Sequence, residues 1–130
     1  MNSAPPNLSL TELRVPVADV VTKYFGGDSE FFDAYQASCS AQFPVDLQAG
    51  QSACAASDMD ALVRTAHNLK SILLTLGFAT ISQEAANCEQ RAQSGDVAMA
   101  QASWKQLAKL LRFVLSSDAL EPKAIDKIGL

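Results

Sequence analysis

The stretch between Met59 and Gly77 constrains this chain most. Leu62, Ala66, Leu69, Leu73 and Leu76 recur there at intervals of four, three, four and three. An α-helix returns to the same side every 3.6 residues, so this spacing predicts one helix with a single buried stripe. Ser57-Asp58-Met59-Asp60 ahead of it supplies a cap and an acidic first turn, and Gly77 supplies a stop. Such a helix cannot bury its stripe alone and needs partners of the same kind.

The rest of the chain provides them. Residues 1–10 lack periodicity, contain prolines and read as a tail or linker. Residues 11–25 predict a short helix with Pro16 in its first turn. Its apolar face would be Val17, Val20, Val21, Tyr24 and Phe25, and Gly26-Gly27 would stop it. Asp28 or Ser29 caps the next helix, which turns Phe31, Phe32, Tyr35 and Cys39 inward. Pro44 is expected to kink or break that helix, with helical character resuming through Ala55. A helix over 79–93 presents Ile81, Ala85, Cys88 and Ala92, and Ser94-Gly95-Asp96 forms a tight turn. The last helix carries Val97, Ala100, Trp104, Leu107, Leu111 and Val114. Nothing alternates as a strand does. The expected fold is all-α: an antiparallel four-helix bundle over residues 11–116 with a short additional N-terminal helix, and a polar tail over 117–130.

Composition narrows the function classes. The 130 residues suit one domain, and at 48% apolar they can bury a core. The net charge of −4 lacks the basic excess expected of a nucleic-acid binder. Cys39, Cys54 and Cys88 are odd in number and widely spaced, so they read as small core residues rather than disulfides or zinc ligands. No secretory signal or membrane span is legible, which predicts a cytoplasmic domain with no membrane contact.

His67 is the only histidine. It falls roughly 160° around the helix from Leu69, away from the core stripe. Its neighbours on that side, a turn or two along, are Val63, Arg64, Lys70, Ser71 and Leu74. Apolar Val63 and Leu74 on a solvent-facing side suggest a docking patch; the competing reading is that a neighbouring helix covers them. Lys70 can reach the same spot as His67. Ile72 is expected to face inward near Leu69.

The run Ala66-His67-Asn68-Leu69-Lys70-Ser71 through Leu76-Gly77 resembles the signature of histidine-containing phosphotransfer domains. Cys88-Glu89 and Ser94-Gly95-Asp96 are similar to features of the family's following helix and hairpin. The likeness covers roughly residues 28–115. Serine stands at Ser71 where the family usually has glycine, and Ile72 replaces a common small residue. Neither departure removes the acceptor histidine or the lysine.

The resemblance implies a phosphorelay intermediate. His67 would take a phosphoryl group from a receiver-domain aspartate and pass it to another receiver or back. Lys70 would offset the phosphoryl charge, and Glu89 would orient the imidazole. Val63, Arg64, Ser71 and Leu74 would meet the receiver, with Gly77 structural. The partners implied are response-regulator receiver domains and a hybrid sensor histidine kinase in cis or in trans; the domain either stands alone or is the C-terminal part of such a kinase. Mg²⁺ would come from the receiver: no Asp/Glu cluster suits it here, and the domain would have no cofactor of its own. It would be a carrier, not a kinase, since it has no glycine-rich phosphate loop. One histidine without positioned cysteines is too few ligands for a metal site. The rival reading is a helical adaptor that binds a receiver domain or another signalling partner without being phosphorylated.

Overall fold

The computed structural model describes residues 13–117, 119 and 120. Among them are five α-helices and no strand: α1 (Val17–Phe25), α2 (Ser29–Ala55), α3 (Met59–Thr75), α4 (Ala79–Gln93) and α5 (Val97–Ser116). Helices α2 to α5 form the bundle. Each packs on the next, and α5 closes the ring against α2. Three-residue connections make successive helices antiparallel. Helix α1 packs on α2.

The turns share one device. A residue with positive φ ends the helix, and the next residue is the N-cap. Gly27, Ser57, Gly77 and Gly95 have φ of 84°, 53°, 97° and 81°. The caps that follow are Asp28, Asp58, Phe78 and Asp96. Each aspartate accepts the backbone N–H three residues on, from Phe31 (3.0 Å), Ala61 (3.1 Å) and Met99 (3.1 Å). These bonds satisfy donors that a helix start otherwise leaves open. Gly77 has a second constraint. A Cβ there would stand 2.7 Å from Val20 Cγ2 and 3.1 Å from Val15 Cγ2. Glycine fits both the backbone angle and the space.

The stripe of α3 is buried as the spacing predicts: Leu62, Ala66, Leu69, Leu73 and Leu76 are closed to solvent. Phe43, Phe78, Ile81, Leu107 and Leu111 complete the centre. Each large aliphatic or aromatic side chain buried here contributes about 2 kcal/mol. Ile72 is half-buried against this core, in keeping with its expected inward turn. Cys39 and Cys88 are buried and Cys54 half-buried, all three as free thiols.

Four readings need correction. Pro44 does not break its helix; α2 runs unbroken through it for 27 residues. Proline costs one backbone bond, but Phe43 and Leu47 lie buried on either side of it and hold the segment to the core. Pro16 is the N-cap of α1 rather than a residue of its first turn. Tyr24 and Phe31, expected inside, are exposed. The inward place at that end belongs to Phe25, whose ring meets Phe31, Phe32 and Tyr35 at centroid distances of 5.2–5.5 Å. Finally, Leu120, read as part of a polar tail, is buried in the core. The tail assigned to 1–10 and the remainder of 121–130 lie outside the described residues.

Arg14 fixes that end of the bundle, and periodicity gave no sign of it. Its guanidinium donates to the carbonyls of Leu76 (3.0 Å) and Ala119 (3.1 Å) and to Gln36 Oε1. It stacks 4.5 Å from the centroid of Phe78. Burial lowers its pKa to about 10, so it stays charged at neutral pH. One side chain thus ties the segment before α1 to α2, the end of α3 and the segment after α5.

Candidate functional site

Helices α3 and α4 build the site. His67 meets Glu89, whereas Lys70, one turn on in α3, meets Ser82, two turns earlier in α4. The opposed order is what antiparallel packing requires. Ser82 Oγ–H donates to the Lys70 carbonyl at 2.8 Å. Ser82 and Glu89 are seven residues apart, so they share one face of α4.

The His67 side chain is 56% exposed, and Glu89 beside it only 12%. The imidazole Nδ1–H donates to Glu89 Oε2 at 2.9 Å. A carboxylate can only accept, so Nδ1 carries the proton and the lone pair of the neutral ring lies on Nε2. Nε2 is therefore the nitrogen that can attack an incoming electrophile. The other carboxylate oxygen, Oε1, pairs with Lys70 Nζ at 2.8 Å. Glu89 thus joins the two α3 residues in one network.

The Lys70 ammonium holds the Glu89 carboxyl below the ordinary glutamate range by its hydrogen bond. Partial burial opposes this, and the bond from His67 adds to the lowering. The sign follows: this network stabilises the fold above the ordinary glutamate pKa and is lost as acid carries the pH down through the lowered value. Glu89 is thus neither free nor solvated at neutral pH. Lys70 is 35% exposed and paired with Glu89 rather than freely solvated.

The other expected positions divide. Arg64 and Ser71 are exposed beside His67. Leu74 is 47% exposed, and with Val15, Tyr24 and Gly77 it lines a hollow of about 300 Å³ rimmed by Asp19 and Lys23. Val63 is instead half-buried against the core. Sequence reasoning missed Val15, Tyr24 and Ser82. Val15 and Tyr24 join Leu74 only because α1 lies near the end of α3, which no local pattern encodes. Among the described residues, no group of three or more His, Cys, Asp or Glu side chains could hold a metal ion. No helix of the described residues is long and apolar enough to cross a membrane.

An exposed histidine, oriented through one nitrogen and open at the other, with an ammonium at hand, is equipped to carry a small anionic group. The sequence model of the Hpt domain family matches residues 35–116. That is well over half of the chain, and the chain belongs to this family, whose members are phosphotransfer modules of two-component signalling. The match spans α3, α4 and α5 and most of α2, and leaves α1 outside it. Searches of curated proteins and of solved structures return no match.

Proposed function

We propose that His67 is a phosphoryl acceptor, loaded by the aspartyl phosphate of a receiver domain and unloaded onto a receiver aspartate. The observation carrying this reading is the pairing of His67 Nδ1–H with Glu89, which leaves Nε2 exposed as the nucleophile. In the transfer, the bond between phosphorus and the receiver's carboxylate oxygen breaks while an Nε2–P bond forms. The receiver aspartate leaves as a carboxylate. The proton on Nδ1 stays in place. Attack through Nε2 puts positive charge on the ring, and Glu89 faces that charge directly. The reverse step follows the same path. Phosphoryl transfer needs mainly alignment and charge neutralisation, and Mg²⁺ with its acidic ligands belongs to the receiver. The domain itself is a carrier without ATP-dependent activity.

Lys70 has two tasks. One of its three ammonium donors holds Glu89; the others can meet the oxygens of the phosphoryl group. A charge-assisted contact is worth about 1.5–3 kcal/mol, so Lys70→Ala is expected to slow transfer roughly ten- to a hundredfold. Rapid-quench transfer rates measure this, and a wild-type rate would reduce Lys70 to a clamp on Glu89.

The test of the whole reading is direct. A radiolabelled phospho-receiver, mixed with this protein, should lose its label to it. The label should be lost in acid and survive in base, as a phosphorus–nitrogen bond does. Label retained by every receiver tried would favour the adaptor reading.

Leu74, Val15 and Tyr24 are proposed as the apolar part of the receiver contact. The exposure of Leu74 decides what a charge there does. An aspartate in place of Leu74 stays hydrated in the free protein, so melting should hardly move. In a complex it would be trapped in an apolar contact, and the receiver Kd should rise at least roughly tenfold. Val63→Asp should do the opposite, lowering the melting temperature, because Val63 packs on the core. Calorimetric melting and binding of both variants provide the four values; unchanged receiver binding by Leu74→Asp would remove it from the contact.

A further inference from the structure

Opposite the α3–α4 pair that carries His67, helices α2 and α5 frame a groove of about 600 Å³. Trp104 and Ala108, both nearly closed to solvent, form its floor with Cys54 beside them, and Lys105, Lys109 and Arg112 also line it. The three cations are spaced four and three along α5, so they form one stripe. Among the described residues none of them has an ion-pair partner. Nor does the local sequence offer one: α5 has no acidic residue over its whole length, and α2 has none after Asp46. Like charges four residues apart weaken a helix, so this stripe is a cost to the isolated fold. It adds three positive charges to one groove of a chain whose net charge is −4.

We infer that this groove docks an acidic amphipathic helix from a partner protein, separately from the receiver contact around His67. Apolar residues of such a helix at every third or fourth position would meet Trp104 and Ala108. Its flanking carboxylates would meet Lys105, Lys109 and Arg112. The sign of the stripe excludes a basic segment. The negative net charge disfavours a broad anionic surface such as a membrane or nucleic acid, where long-range repulsion would act over the whole face. A narrow segment seated in the groove meets only the local positive charge.

Trp104 is the only tryptophan in the chain and lines the groove, so its fluorescence reports occupancy. The probe is a four-turn peptide with leucine at positions i, i+3, i+4 and i+7 of each repeat and glutamate elsewhere. The control replaces every glutamate with lysine. The acidic peptide should give a saturable change in Trp104 emission, weakening as salt is raised. The combined variant Lys105→Gln, Lys109→Gln, Arg112→Gln should bind it at least roughly tenfold more weakly, each screened pair being small but the three acting together. Its melting temperature should stay level or rise slightly as the like-charge repulsion is relieved, and its phosphotransfer rate through His67 should match the wild type, which separates this site from the relay reading. No saturable change, equal affinity for the lysine peptide, or equal affinity of the variant would each overturn the inference. So would binding to vesicles of anionic phosphatidylglycerol in place of the peptide.

Discussion

His67→Gln is expected to abolish phosphoryl acceptance from a receiver while leaving the bundle folded. Glutamine has no nucleophilic ring nitrogen, and the chain contains no second histidine to substitute for it. Labelling should fall to background rather than to a reduced rate. The fold should tolerate the change because the His67 side chain is more than half exposed and is not part of the buried stripe. Glu89 keeps its bond to Lys70, and the glutamine amide can still donate to the vacated oxygen. An exposed substitution of this kind shifts stability by about 0.5 kcal/mol, which is about 4 °C or less in Tm. The measurement pairs acid-lability labelling with a calorimetric melt. Undiminished labelling would move the acceptor elsewhere, and a collapsed melt would make the loss of labelling uninformative about chemistry.

The second large effect is on stability. Gly50→Ala should destabilise the protein, although alanine is the better helix former by about 1 kcal/mol. Gly50 lies buried within α2, directly under Trp104. A Cβ on it would come within 2.1 Å of Trp104 Cη2 and Cζ2 and 2.6 Å of Cε2. No rotation of a methyl group relieves that overlap, so the indole or the helix must move. Overpacking of this kind costs about 1–3 kcal/mol and more when a rigid ring is displaced. We expect a net loss of about 2 kcal/mol, seen as a fall of about 10 °C in Tm. The sole tryptophan should also emit at longer wavelength as it is pushed toward water. An unchanged or raised melting temperature would show that α2 and α5 separate easily at this level.

Much of this architecture was legible because its signals are local. The stripe of α3, the aspartate caps and the glycine turns are each encoded within a few residues, and the structure places them as the spacing predicts. The misreadings share a different cause. Pro44 is a helix breaker by its own chemistry, and only the burial of Phe43 and Leu47 on either side keeps α2 continuous. Tyr24 and Phe31 are apolar enough for a core, but their neighbours Phe25 and Phe32 hold the inward places. Arg14 was silent because a lone arginine carries no period. At the site, the exposure of His67 followed from its angle to Leu69. Glu89 could be named only through the family resemblance, since nothing in α4 announces which α3 residues it faces. That Lys70 and His67 share one carboxylate is a property of how two helices are aligned, and Ser82 helps set that alignment.

The openness of His67 has a kinetic consequence. Its ring stands on two packed helices beside Glu89, with more than half of its side chain open to solvent. A phosphoryl group held there would face bulk water from the moment the donor departs. Held open in this way, the charged carrier would have a lifetime set by the intrinsic reactivity of the phosphorus–nitrogen bond, tuned by Glu89 and Lys70. The relay would then work as a race between the next receiver's arrival and spontaneous loss. Signal range would become a matter of receiver concentration: a scarce receiver would lose the message to solvent, and an abundant one would collect nearly all of it.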